Sequence, residues 1–399
     1  MGLRYYLARG REVPLIRGHP WVYSGAIARQ EGEAAEEEAE VFSAKGEFLG
    51  RGTHHPAADI RVRLFTTTPG QSLDAAEIGR RLALAVQRRQ AWLSPAPDGA
   101  VRLVFAETDG LPGLIVDRYA RTLVVQLLSS WWETRRQALV DSLCALLQPE
   151  TIWERSDQES RRHESMEPRK GLLWGQPLAA PVPFREDGLH YLADVVEGHK
   201  TGFYLDQRVN RRRVRAWLRR LQQPARVLDV FAYTAAFSLG ALAEDAREVV
   251  AVDSSQSARE LALQQLALNR HLPADRLQYR HGDAFALLRA LKAAGEQFDL
   301  VILDPPRLAP HRYHLQKSLR AYKDINLVGC QLVRPGGLLA SFCCSGVGER
   351  ELFGKVVEGA ARDARRSLFL LEGFGQPPDH PVRLGFAESE YLKGFLFGT

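Results

Sequence analysis

From about residue 225 onward the chain alternates short apolar runs with helix-like stretches, and this rhythm narrows the folds open to it. The runs are Arg226–Val230, Val249–Val252, Leu277–Arg280, Leu300–Leu303 and Leu338–Phe342, with Leu368–Leu371 and Tyr391–Phe397 to close the set. Helical periodicity fills the intervals, as in Ser257 to Asn269 and Leu315 to Leu332. A run such as Leu300-Val301-Ile302-Leu303 has no polar alternation, which marks a strand buried on both faces. Such alternation predicts an α/β architecture with a doubly wound, mostly parallel sheet of seven strands. Open sheets of this kind take their ligands outside the carboxyl ends of the strands. The residues that follow each run are therefore the ones to read for chemistry.

At 399 residues the chain exceeds what one core usually supports, so further domains precede the sheet. Short β-like runs at Arg4–Leu7, Phe48–Gly50 and Ile60–Phe65, with the turn-rich Arg17-Gly18-His19-Pro20-Trp21-Val22 between the first two, predict a small barrel over 1–69. Glu31 to Glu40 carries six glutamates and is expected to be a solvated loop. Residues 70–184 read as an α+β module, with a helix from Asp74 to Leu93 (Ile78, Leu82, Val86 and Trp92 on its apolar face) and another from Glu133 to Leu147. Residues 185–399 form the third, strand–helix domain. Four cysteines without a Cys-x-x-Cys pair argue against a disulfide framework or a structural zinc site. His163, His190 and His311 sit in no metal-ligand spacing, so no metal is expected. No apolar run approaches a membrane span and the start lacks a signal-peptide core, so the expected location is the cytoplasm. The net charge of +5 is compatible with a polyanionic partner.

Acids stand at the ends of successive runs. The first passes into Asp229-Val230-Phe231-Ala232-Tyr233-Thr234, the second ends in Asp253, and the third is followed by Gly282-Asp283-Ala284. An acid closing a second strand can accept both hydroxyls of a ribose, and a helix N-terminus offers free N–H groups. Strand-end aspartates also serve as helix N-caps, but three in succession favour a nucleoside cofactor. The absence of Gly-x-Gly-x-x-Gly argues against NAD. The fourth run ends in Asp304-Pro305-Pro306 and the fifth in Cys343-Cys344-Ser345-Gly346. If these two strands are neighbours, a carboxylate and a thiol face one pocket, a pairing suited to covalent catalysis on a pyrimidine. Adjacent cysteines in a strand point to opposite faces. Cys344, beyond the apolar run, is the expected nucleophile and Cys343 the packing residue, while Asp304 holds the amine and ring nitrogen of a cytosine.

The stretch Arg208 to Arg220 contains seven arginines and no acid. Arg208, Arg211 or Arg212, Arg215 and Arg219 follow helical spacing, so they form one stripe. A solvated face and a phosphate-binding face are both open to it.

These residues make the chain resemble the RlmI-type ribosomal RNA large-subunit methyltransferases over nearly its whole length. The resemblance rests on Gly18–Val22, Asp109–Tyr119, Glu154–Asp157, Lys200-Thr201-Gly202-Phe203-Tyr204-Leu205-Asp206-Gln207-Arg208, Asp304–Pro306, Cys344–Gly346, Asp379-His380-Pro381 and Tyr391–Phe395. It implies a PUA-like RNA-binding domain, a central domain and a Rossmann-like class I methyltransferase domain. It further implies S-adenosylmethionine (SAM) as cofactor, held in part by Asp206 and Gln207, and methyl transfer to carbon 5 of one cytosine of 23S rRNA. A uracil-5 methyltransferase and a non-catalytic RNA-binding assembly protein with a SAM fold are the alternatives, and both monomer and homodimer remain open. One departure stands out: after Tyr233-Thr234 the family usually has two glycines, and here stand Ala235-Ala236. Alanine is tolerable there if both residues already belong to a helix.

Overall fold

The computed structural model describes residues 2–33, 35–93, 96–178, 181–221, 223–308, 315–344 and 350–399. It divides into two compact units. The first comprises Met1–Phe184, Ala193–Leu205 and Pro378–Ser389, the second Arg185–Leu192, Asp206–Pro377 and Glu390–Thr399.

Unit one opens with β1 (Leu3–Leu7), α1 (Val13–Ile16), β2 (Trp21–Tyr23), β3 (Ile27–Glu31), β4 (Glu38–Phe42), β5 (Phe48–His54) and β6 (Ile60–Thr66). The strands form one sheet in the order β2-β6-β5-β4-β1-β3. The glutamate run is a loop only in its middle, between β3 and β4, because Glu31 closes β3 and Glu38 opens β4. Alternation explains this: Ala39 and Val41 are buried at 1% and 0% exposure, while Glu38 and Glu40 point outward to Arg51 and Arg4.

A second sheet follows, from α2 (Ala75–Leu93), β7 (Ala100–Phe105), β8 (Leu114–Tyr119), β9 (Thr122–Leu127), α3 (Arg136–Leu147), β10 (Thr151–Ser156) and β11 (Arg169–Gly175), in the order β11-β10-β9-β8-β7. Helix α2 buries Ile78, Leu82, Ala85 and Val86, whereas Trp92 lies exposed at its end. Arg89 is fully buried and forks onto both oxygens of Asp109 at 2.6 and 2.8 Å. Arg63 on β6 binds Glu107 at 2.8 Å and Glu164 at 3.2 Å, which ties the first sheet to the second within this unit. Two further strands, β12 (Val182–Glu186) and β13 (Leu189–Ala193), had no clear signal in the sequence.

Unit two contains α4 (Arg208–Leu218), β14 (Arg226–Val230), α5 (Ala236–Leu242), β15 (Glu248–Asp253), α6 (Gln256–Leu268), β16 (Leu277–His281), α7 (Ala284–Ala293), β17 (Phe298–Leu303), α8 (Leu315–Leu332), β18 (Val333–Cys343), α9 (Arg350–Asp363), β19 (Phe369–Gly375) and β20 (Lys393–Gly398). Its seven-stranded sheet runs β16-β15-β14-β17-β18-β20-β19. The five strands from β16 to β18 pair in parallel, and β20 is antiparallel to both its neighbours. Val230, Val252, Val301, Leu303 and Leu339 are all at 0% exposure, the burial on both faces that unbroken apolar runs require. The chain builds outward from β14 to β16 and then crosses back to β17. The crevice outside the ends of β14 and β17 is therefore the switch point at which such sheets bind ligands.

Strand β18 is held by ring packing as well as by its ladder. Phe342 stacks on Phe374 with centroids 5.3 Å apart, and Gly394 of β20 lies opposite Phe342. A Cβ on Gly394 would sit 2.5 Å from the Phe342 ring. Gly394→Ala is therefore expected to cost about 1–3 kcal/mol through overpacking. Urea denaturation reads the loss, and an unchanged midpoint would show that the ring stack yields freely. Among the described residues no helix is long and apolar enough to cross a membrane.

Candidate active site

The loop leaving β14 has an unusual backbone. Phe231, Tyr233 and Ala235 take left-handed conformations at φ 64°, 47° and 60°. Each such conformation costs a non-glycine residue roughly 1–2 kcal/mol, so the loop persists only because its surroundings over-determine it. The Tyr233 N–H donates to Asp253 Oδ2 at 2.8 Å, the Tyr279 hydroxyl to the Tyr233 carbonyl at 2.6 Å, and the Gln265 amide to the Thr234 carbonyl at 2.6 Å. Helix α5 begins at Ala236, so the expectation of a helical Ala235-Ala236 pair holds only for its second member. Ala235 makes the left-handed turn into the helix, which is where a glycine would be at ease.

Asp229 lies inside β14 at 1% exposure, with Oδ2 accepting from the Ser238 N–H at 3.1 Å and its hydroxyl at 2.7 Å. Burial pushes its carboxyl up to about 6, against the opposing pull of the Ser238 hydrogen bonds. Its Oδ1 and the Thr234 hydroxyl are buried polar atoms with no hydrogen-bond partner among the described residues. Orphans of this kind, at a strand end beside a strained loop, suit a polar ligand. Asp253, half-buried, spends its oxygens on the N–H groups of Tyr233 and Ser255 at 2.8 and 2.9 Å and keeps lone pairs for hydroxyl donors. Asp283 is an N-cap: its Oδ1 accepts from Ala286 N–H at 2.8 Å, and Ala284 begins α7.

Strands β17 and β18 are adjacent and parallel, with Leu303 opposite Ser341. The pairing brings Asp304 and Cys344 together, Sγ lying 3.8 Å from Oδ1. Cys343 is buried in the core among Tyr322, Phe353 and Phe395, while Cys344 is only partly buried. Ser345, Gly346 and His311 lie outside the described residues. The Asp304 N–H also donates to the Val230 carbonyl at 3.3 Å, linking the ends of β17 and β14. Asp206 and Gln207 enter from the turn before α4. Buried Asp206 accepts from the Tyr391 hydroxyl at 2.8 Å, and the Gln207 amide donates to Asp304 Oδ2 at 2.9 Å. Asn210, buried at 0% exposure on α4, was missed in the sequence, although its i+3 spacing from Gln207 was available as a signal.

The arginine stripe does not present itself to solvent as one face. Arg208 and Arg211 both bind Glu186, at 3.2 and 2.6 Å, and Arg211 is buried. Arg215 binds Glu244 at 2.8 Å, with Arg219 on the same carboxylate. Glu186 and Glu244 lie far from the helix in sequence, which is why the stripe looked unpaired. Arg212 is exposed. No group of acids, histidines and cysteines suited to a metal ion occurs among the described residues.

A family model described as S-adenosylmethionine-dependent methyltransferase matches residues 111–397, and a PUA-like domain model matches 6–67. The chain is 42% identical over 398 residues to ribosomal RNA large subunit methyltransferase I of Escherichia coli, covering 99% of each. The chain belongs to this family of SAM-dependent methyltransferases. Its relative of the same name from Shigella flexneri is also 42% identical, with 99% of each chain covered. A SAM-dependent methyltransferase from Streptococcus mutans shares the fold at a TM-score of 0.84 and 21% identity, over 99% of this chain and 100% of that one. A methyltransferase structure complexed with SAH matches at 0.85, again with 21% identity and 99% and 100% coverage. The seven-stranded sheet is thus that of a methyltransferase, and the orphaned polar atoms of Asp229 and Thr234 fit a polar cofactor such as SAM.

The strain at Ala235 can be tested directly. For Ala235→Gly, relief of roughly 1–2 kcal/mol of left-handed strain is offset by roughly 0.8 kcal/mol of lost methyl burial, so stability should change little. Ala235→Val adds branching at a buried left-handed position and should cost roughly 2–3 kcal/mol. Equal denaturation midpoints for the two variants would mean that the turn is not under strain.

Proposed function

We propose that this enzyme methylates carbon 5 of a cytosine in 23S ribosomal RNA through a covalent adduct between Cys344 and carbon 6. The observation that carries the reading is the placement of the Cys344 thiol against the Asp304 carboxylate on adjacent parallel strands, in a chain so similar to ribosomal RNA methyltransferases. A target base leaves its stack to enter such a pocket, most cheaply where it is unpaired.

In this mechanism the Cys344 thiol passes its proton to Asp304 Oδ1 and attacks carbon 6 as the thiolate. The C5=C6 pair shifts to C4=C5, and the displaced C4=N3 pair takes the proton from Asp304 at N3. Asp304 also accepts from the exocyclic amine. When bound, SAM supplies an electrophilic methyl carbon on a sulfonium sulfur, and that sulfur keeps the bond pair as carbon 5 is methylated. A base then removes the carbon-5 proton, the pair re-forms C5=C6, the thiolate is expelled and the N3 proton returns to Asp304. Asp229, Phe231, Tyr233, Thr234, Asp253, Asp283 and Ala284 are the residues that would hold SAM, with Asp253 toward the ribose and Asp283 toward the adenine. We assign residues 1–69 to a PUA-like RNA-binding domain, 70–184 to a central α+β domain and 185–399 to the methyltransferase domain. Arg212 remains the member of the arginine helix best suited to a phosphate.

Two outcomes are expected. RNA containing 5-fluorocytosine should trap a covalent adduct that maps to Cys344, because fluorine cannot leave carbon 5 as a proton does. Cys344→Ala should abolish transfer while SAM binding persists, and Cys343→Ala should keep activity at some loss of stability. An adduct on Cys343, turnover by Cys344→Ala, or methyl transfer to uracil would each overturn the reading. Secondly, the Asp229 carboxyl titrates at about 6, above its ordinary value. A cationic ligand group favours the carboxylate, so SAM affinity should be level above pH 7 and fall below pH 6, by at most tenfold per pH unit for one proton. Calorimetry giving a flat profile between pH 5 and 7 would remove Asp229 from the cofactor site.

A further inference from the structure

Gln207 occupies the N-cap position of α4, yet its side chain makes no capping hydrogen bond. Serine, threonine, asparagine and aspartate are the residues that favour this position, because their short side chains reach the free N–H groups. The glutamine side chain points elsewhere. Its Nε2 donates to Asp304 Oδ2 at 2.9 Å, and its Oε1 accepts from Asn210 Nδ2 at 2.6 Å. Gln207 and Asn210 are 1% and 0% exposed, so neither bond competes with bulk water.

The chain of bonds has one consistent direction. A carboxylate only accepts, so the Gln207 amide must turn its NH₂ toward Asp304. That turn leaves Oε1 facing Asn210, which must then present its own NH₂. Reversing the glutamine would set a carbonyl against the carboxylate, so the contact with Asp304 itself fixes the amide, and Asn210, whose Oδ1 has no hydrogen-bond partner among the described residues, follows it. Asp304 is thereby gripped at Oδ2, and its other oxygen is the one that meets the Cys344 sulfur at 3.8 Å.

We propose that Gln207 is a positioning residue for methyl transfer, its amide holding Asp304 so that one carboxylate oxygen stays on the glutamine and the other on the Cys344 thiol. This rests on the Cys344–Asp304 mechanism above and replaces the cofactor contact that the family resemblance implied for Gln207. The residue at the start of α4 is long enough to reach the end of β17.

The test uses two replacements that fail differently if the role is only structural. Gln207→Ser shortens the side chain so that it cannot reach Asp304, and Gln207→Leu keeps the bulk without the amide. Both should lower kcat for RNA methylation about 10–100-fold, the scale of a misplaced catalytic group. SAM affinity by calorimetry and KM for RNA should remain as in the wild type. Asn210→Ala, which touches neither Asp304 nor Cys344, should lower kcat in the same direction by a smaller factor. Wild-type kcat in both Gln207 variants would overturn the proposal. So would a fall in SAM affinity that matches the fall in rate, since that marks a cofactor ligand. Failure of the underlying mechanism is distinguishable, because the wild-type enzyme would then form no adduct with 5-fluorocytosine RNA.

Discussion

The register between β14, β17 and β18 is the constraint on which the site depends. Leu303 lies opposite Val230 on one side and Ser341 on the other, so the chain leaves β17 beside the ends of both neighbours. A slip of one residue would turn every side chain of β17 to the other face. It would carry Asp304 away from Cys344 and misfit Val301 and Leu303, both at 0% exposure, in a core packed on both faces of the sheet. The apolar core therefore sets the distance between two polar groups that it does not touch. Val301 and Leu303 share one buried core with Tyr322, Ile325 and Val328 of α8.

The strand–helix domain was legible because its signals are local. Buried parallel strands read as unbroken apolar runs, and the boundaries of β14 and α8 follow from periodicity and turn residues, while β17 begins two residues before the expected Leu300. The proximity of Asp304 and Cys344 was legible too, given only that their strands adjoin. What escaped depends on partners distant in sequence. The arginine helix looked like an open basic face because Glu186 and Glu244 cannot be matched to it without the fold. The acidic run hid β4, since six glutamates outweigh two small apolar residues in any reading by composition. The left-handed turn at Ala235 was not legible, because sequence carries no direct mark of a positive φ on alanine.

Several family motifs prove to be scaffold. Thr201, from the segment that ends in Asp206-Gln207-Arg208, donates to Asp117 at 2.6 Å, and Asp117 in turn holds Arg102 through two bonds at 2.8 Å. Asp379 accepts from the Arg102 N–H at 3.1 Å, and its carbonyl accepts from Arg89. These are buried charges whose partners lie far apart in the chain, and removing one partner strands the other. Their value is in fixing which segments meet, so a motif can be specific to a family without touching its chemistry.

The path of the chain has a consequence for how the enzyme comes into being. Residues 193–205 and 378–389 belong to unit one, while the segments around them belong to unit two, so no single cut separates the two units. Strand β20 lies between β18 and β19, although it follows both in the chain. During synthesis β19 has no sheet neighbour until β20 emerges, and as an edge strand it keeps Phe369, Leu370 and Leu371 exposed even in the finished fold. The sheet is closed from its middle by its last strand. Among the described residues, the edge strand β19 is thus joined to the rest of the sheet only through β20.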